Sequence, residues 1–208
     1  MSRAFRPVDP KSLPHLVAGA LAATPSAGRA LRVAVDGAPP AEPTAFAQSL
    51  AASLRALGRD TAIVRAESFW RDASLRLEYG REDVESFLTW LDERALRREV
   101  LDPLGPDGSG IYLPSMRDPE TNRATREPPR RAAAGAVVIV SGSLLLGLGL
   151  PFDVTIHLAM SPGARARRID AACRWTLEAF DRYDADVSPA TAADIAIRID
   201  DPAHPAIG

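Results

Sequence analysis

The strongest constraint on this chain lies in residues 31–65. Residues 31–35 (Leu-Arg-Val-Ala-Val) form a short apolar segment that runs into Asp36-Gly37. A proline-rich loop over 38–43 follows. Residues 44–57 then repeat apolar side chains at Phe46, Leu50, Leu54 and Leu57, and Gly58 closes the run. That spacing predicts an amphipathic helix. Residues 61–65 (Thr-Ala-Ile-Val-Arg) read as a second strand. Strand, loop, helix and strand in this order make a βαβ unit, which needs a parallel sheet and a right-handed crossover.

The rest of the chain extends this pattern. Residues 136–140 are continuously apolar, as suits a central strand buried on both faces. Strands are also expected over 152–158 and 194–199, which makes five. Helices are expected over 13–23, over 82–101 (Val84, Phe87, Leu88, Leu91, Leu96) and over 162–180, the last bent or broken near its ends. Residues 102–131 are polar and rich in Pro, Gly and Arg. A segment of that length is not an idle connector in a compact domain; it is either functional or disordered.

Composition narrows the classes. A net charge of −2 gives no broad electrostatic pull on nucleic acid or membrane. The single cysteine, Cys173, leaves no intramolecular disulfide and fits a reducing cytoplasm. No apolar run reaches the roughly 18 residues of a membrane span, and the first residues lack the apolar core of a signal peptide. No His/Cys/Asp/Glu grouping has zinc spacing, so no metal site of that kind is expected. No Gly-x-Ser-x-Gly elbow or catalytic Cys/His pair is readable. His157, in an apolar strand, reads as a packed core or rim residue, and Trp70 and Trp90 as core aromatics with a cleft as the alternative. Of the 25 basic residues only Lys11 is a lysine.

A phosphate-binding P-loop, G-x-x-x-x-G-K-[ST], sits between a strand and a helix. Here that place holds Gly37-Ala-Pro-Pro-Ala-Glu42-Pro43-Thr44. The first glycine and the final threonine stand in position; Glu42 replaces the second glycine and Pro43 the lysine. Alone, the fragment is a weak signal.

Order and spacing make it more specific. Residues 33–37 resemble the strand that opens uridine kinases and their bacterial relatives in the phosphoribulokinase/uridine kinase family. Glu67-Ser-Phe69-Trp70 follows the second strand, where that family carries D-x-F-[HY]. Leu101-Asp-Pro-Leu104, then Asp118 and Arg123, resemble its substrate-side segment. Val137-Val-Ile-Val140-Ser141-Gly142 stands where the family has a strand ending in Glu-Gly or Asp-Gly. Phe152-Asp153, Arg167-Arg168-Ile169, Arg182-Tyr183, Pro189 and Ala193-Asp194 resemble the following strand, the lid helix and the C-terminal segment. The resemblance covers about 31–207. It implies an α/β P-loop NTPase fold of the nucleoside-kinase kind, a three-layer sandwich around a mostly parallel five-stranded sheet. It implies one domain over 1–208, with 1–30 as an N-terminal helix and linker, 102–131 as a substrate-side insert and 162–180 as a lid-like helix.

The family activity so implied is ATP-dependent phosphoryl transfer, with Mg²⁺, to a hydroxyl of a nucleoside or similar small molecule. Glu67 would accept the hydroxyl proton, Asp118 and Arg123 would grip the substrate, Asp36 would approach Mg²⁺ through water, Thr44 would ligate it, and Arg167 and Arg168 would serve the lid. The departures argue against full function. Pro39, Pro40 and Pro43 each lack an N–H, so up to three phosphate donors are missing. Glu42 places a carboxylate at a helix start, where it would repel phosphate. Ser141 replaces an acidic residue, and Ala171-Ala172 replace the lid Arg-Asp. Losing three or four charge-assisted hydrogen bonds costs roughly 5–10 kcal/mol, against about 8 kcal/mol for micromolar affinity. Three readings stand open: a kinase-like protein with impaired or lost turnover that still binds a small molecule, an active kinase using Arg126, Arg130, Arg131, Arg167 or Arg168 in place of the lysine, and a non-catalytic interaction protein.

Overall fold

A computed structural model describes residues 3–208. Nine strands form in chain order: β1 (Arg6–Pro7), β2 (Leu31–Gly37), β3 (Thr61–Arg65), β4 (Ile111–Tyr112), β5 (Arg130–Arg131), β6 (Val137–Gly142), β7 (Val154–Ala159), β8 (Ile195–Arg198) and β9 (Ala206–Ile207). The helices are α1 (Leu13–Ala23), α2 (Pro43–Ala56), α3 (Ala73–Arg76), α4 (Val84–Phe87), α5 (Glu93–Leu96), α6 (Pro162–Arg168), α7 (Leu177–Val187) and α8 (Pro189–Ala192).

Seven of the strands form one sheet in the order β1-β9-β8-β7-β2-β6-β3. The five expected strands are its parallel part, β8 through β3. The two additions, β9 and β1, pair antiparallel at one edge and are two residues each, too short to carry a periodic signal. The expected count of five therefore becomes seven. A separate ribbon, β4 with β5, brackets residues 111–131 of the 102–131 segment, which has turns and bonds of its own.

Alternation along β2 and β6 builds the layers. Val33, Val35, Val137 and Ile139 face α1 and α2 in one buried cluster. Ala34, Val138 and Val140 face Leu96, Val100, Leu101 and Tyr183 in the other. Because β2 lies between β6 and β7 while its own helix leads to β3, the strand order reverses here. In open α/β sheets the crevice at such a point, beyond the carboxyl ends of the strands, is where ligands bind. The opposite end of β2 is clamped: Arg29 and Arg32 both bond Asp153, with Nη2–Oδ1 distances of 2.7 and 2.9 Å. Burial raises the Asp153 pKa, but those two guanidiniums outweigh it and hold the carboxyl well below its ordinary range.

Two expected helices are broken. The 82–101 segment splits into α4, α5 and a π-helical turn, Arg97–Leu101. Between α4 and α5 the chain pairs with another segment: Arg71 N–H donates to Trp90 O at 2.8 Å and Asp92 N–H to Phe69 O at 2.9 Å. Asp92 then caps α5 by accepting from Ala95 N. The 162–180 segment breaks in its middle rather than near its ends: Ile169 is extended, and Asp170 caps a 3₁₀ turn, Ala171–Thr176, that leads into α7.

Candidate functional site

Four parallel strands deliver the sequence-predicted residues to one edge of the sheet. Gly37 ends β2, Glu67 follows β3, Ser141 and Gly142 end β6, and α6 follows β7. Two of the turns depend on glycine. A Cβ on Gly37 would lie 3.0 Å from Leu158 Cβ, and one on Gly142 would lie 2.6 Å from Ala66 Cβ. The missing side chain at 142 is what lets the Ala66–Phe69 turn, and Glu67 with it, close over the end of β6.

The segment from Gly37 to Thr44 joins β2 to α2, as expected, and two of its backbone N–H groups are closed within it. Pro39–Ala41 is a 3₁₀ turn in which Ala41 N–H donates to Ala38 O at 2.8 Å and Glu42 N–H to Pro39 O at 3.0 Å. Glu42 sits in the left-handed region (φ 55°), exposed, and makes no side-chain cap to α2. Pro43 occupies the first helical position, where an absent N–H costs nothing. Thr44 Oγ1 lies 3.3 Å from Ser141 Oγ.

Asp36 is placed differently from the expected Mg²⁺ role. It has no exposed surface, and its carboxylate is taken by three groups. His157 Nδ1 lies 2.6 Å from Oδ2, the Tyr183 hydroxyl donates to Oδ2 at 3.0 Å, and Leu145 N–H donates to Oδ1 at 2.9 Å. Burial, then the charge of Asp36, pushes the Tyr183 hydroxyl far up, so it acts as a donor. It also accepts from Leu146 N–H at 3.0 Å. Asp36 thus ties β2 to β7, α7 and the 143–146 turn. His157 is packed, as its apolar setting suggested.

Beside the 37–44 turn lies a cavity of about 360 Å³. Glu67 reaches it, with Pro39 at one side; Trp70, Phe87, Trp90 and Trp175 supply most of its aromatic wall, and Leu144 and Cys173 complete it. Phe87 meets Trp90 and Trp175 edge-on, at centroid separations of 5.1 and 5.3 Å. Arg76 is buried against this wall, its guanidinium 5.0 Å from the Trp70 ring centroid and 4.8 Å from that of Trp90. Glu67 is the one acidic side chain on the lining. Its side chain is 20% exposed, and Arg65 Nε stands 3.6 Å from Oε2. Among the described residues Oε2 has no hydrogen-bond partner. Burial raises the Glu67 pKa, with its own backbone N–H and then Arg65 only partly offsetting it. A carboxylate in this state is suited to accept a proton or a hydrogen bond from a ligand.

The other predicted residues spread out. Asp118 stabilises its own turn by accepting from Glu120 N–H and Thr121 N–H at 2.9 and 2.8 Å, and those bonds lower its pKa. Its loop docks on the Glu67 turn through Arg117 N–H to Ser68 O at 3.0 Å, while Arg123 is exposed. On α6, Arg167 is exposed and Arg168 donates to Ile199 O at 3.0 Å. Arg168 borders a separate space of about 220 Å³ beside Glu42 and Phe46. The deeply held arginine of that helix is Arg165, bonded to Asp181 and Asp184 at 2.6 and 2.9 Å, which the sequence did not single out. Arg130 and Arg131 lead into β6 at the end of the sheet away from Gly37, about 20 Å off at about 3.3 Å per residue. Among the described residues no group of three or more His, Cys, Asp or Glu gathers as for a metal ion, and no helix is long and apolar enough to cross a membrane.

No protein-family model matches the chain, and no curated protein does. Solved structures do. A possible uridine kinase from Bacillus stearothermophilus superposes with a TM-score of 0.71 at 18% identity, over 88% of this chain and 96% of that one. A candidate fructose transport system kinase from Silicibacter sp. TM1040 gives 0.58 at 20% identity, over 90% of each chain. At these identities the likeness is one of fold: the chain shares the α/β architecture of these two structures.

Proposed function

We propose that this chain is a uridine-kinase-like protein that binds a small hydroxyl-bearing molecule in the Glu67 cavity, with ATP-dependent phosphoryl transfer impaired or lost. The carrying observation is the 37–44 turn. Its Ala41 and Glu42 N–H groups are spent on Ala38 O and Pro39 O, and its prolines have none to offer. A phosphate nest needs several such groups converging on one anion.

The residues present fit Mg²⁺ and ATP poorly. Glu42 sets a negative charge at the start of α2, Pro43 replaces the lysine, Ser141 faces Thr44, and the Asp36 carboxylate is fully engaged. The substrate side is better equipped: Glu67 lines an aromatic cavity, its buried Oε2 near Arg65 but without a hydrogen bond among the described residues, and the Asp118 loop is bonded to its turn. The arginine-substitution reading has less support, since Arg168 is bonded to Ile199 and Arg130 and Arg131 lie at the far end of the sheet.

Calorimetric titration with ATP and Mg²⁺ tests this. The expected affinity is no tighter than millimolar, about 4 kcal/mol. Micromolar binding, about 8 kcal/mol, would sink the impaired-kinase reading.

A further inference from the structure

The cavity's lining also says what kind of molecule it takes, an inference that rests on the binding role proposed for Glu67. All three tryptophans of the chain border this one space, and each is only half-buried. Phe87, Leu91 and Leu144 are likewise left half-buried against it. That much large apolar surface turned toward a single cavity calls for an apolar body to cover it.

The polar groups on the lining are few and mostly committed. Ser143 Oγ donates to Gly37 O at 2.7 Å, Thr176 Oγ1 to Cys173 O at 2.7 Å, and Trp90 Nε1 to Arg76 O at 3.2 Å. What remains is the Glu67 carboxylate, an acceptor, the indole N–H groups of Trp70 and Trp175, which belong to the rings themselves, and Arg81, which is exposed. A polyol or a heterocycle rich in hydrogen-bonding groups would lose its water here and find few partners. Each such group left unpaired after losing its water weakens binding. A phosphorylated sugar would meet one arginine and a carboxylate, which is no anion cradle.

We propose that the cavity binds an uncharged, ring-bearing alcohol poor in other polar groups, its ring against the tryptophan wall and its hydroxyl donated to Glu67. An ammonium in place of the hydroxyl would also suit a carboxylate among aromatic rings. It is disfavoured here because Arg65 stands beside Glu67, Arg81 also lines the cavity, and Arg76 already lies against Trp70 and Trp90.

Because every tryptophan borders the cavity, intrinsic fluorescence reads occupancy directly. The full chain is titrated with 2-phenylethanol, 2-phenylethylamine, uridine and ribose 5-phosphate. The same series is run on Ala172→Phe, which fills the cavity from an exposed lining position, and on Glu67→Gln. The expected result is saturable 2-phenylethanol binding at least tenfold tighter than that of the other three. It should be abolished in Ala172→Phe and weakened severalfold in Glu67→Gln. Tighter or equal binding of the amine, uridine or ribose 5-phosphate overturns the ligand class while leaving the cavity's binding role in place. Binding of the alcohol that survives Ala172→Phe puts it elsewhere and overturns the assignment. Silence from all four probes overturns both the class and the binding role.

Discussion

The 37–44 turn and the Glu67 cavity share one edge of the sheet, and Pro39 touches both, yet their polar groups are treated oppositely. In the turn, backbone donors are closed on backbone acceptors one residue triplet away. In the cavity, a carboxylate oxygen is left without a partner and large rings are left half covered. A polar group satisfied internally gains little from a ligand, whereas one desolvated in advance gains the most. The contrast is why the proposed binding is assigned to the cavity side. Asp36 joins the two regions, because it lies one residue before the end of β2 and bonds Leu145 beside the cavity wall.

The largest expected effect comes from breaking that joint. Asp36→Ala leaves His157, Tyr183 and Leu145 N–H without their buried acceptor and should cost about 3–5 kcal/mol, read from denaturant unfolding. A loss under about 1 kcal/mol would mean the network is not an anchor. Next is Gly142→Ala, which forces Ala66 and Glu67 away from β6. It should destabilise by about 1–3 kcal/mol and weaken any cavity ligand more than it weakens ATP. Equal losses for both ligands would erase the distinction between the two regions.

Rebuilding the turn sharpens the contrast from the other side. Pro39→Ala, Pro40→Ala, Glu42→Gly and Pro43→Lys together restore donors, remove a repelling charge and supply a cation. Gly also suits the left-handed backbone at position 42. ATP affinity should rise at least tenfold, about 1.4 kcal/mol, by calorimetry. No gain in a folded protein would mean that the phosphate side has changed beyond its loop.

The smallest effect concerns pH. The Glu67 pKa is raised above its ordinary 4.5 in the folded chain. Between those two values the native state holds a proton that the unfolded chain has released, so stability falls as pH rises through that window. Glu67→Gln should flatten this part of the stability–pH curve and leave the protein slightly more stable at neutral pH. An unchanged slope between pH 4 and 7 would show that the carboxylate is not desolvated.

Much of this molecule is legible in its sequence, for local reasons. The helix over Leu13–Ala23, the buried strand of Val137–Gly142 and the βαβ unit around Gly37 follow from apolar spacing that neighbouring residues carry by themselves. The three prolines by themselves remove three possible donors from the turn, because an absent N–H is a covalent fact. Other features depend on partners distant in sequence. The periodicity of Val84, Phe87, Leu88 and Leu91 reads as one helix, but Arg71 and Phe69 take the backbone groups of Trp90 and Asp92 and break it. Asp36 looks like a site residue until folding surrounds it with His157, Tyr183 and Leu145, from 109 to 147 residues away. The cavity joins Glu67, Trp90, Leu144 and Trp175 from four separate stretches. No spacing rule relates those positions, so only the packing of the chain could gather them around one carboxylate.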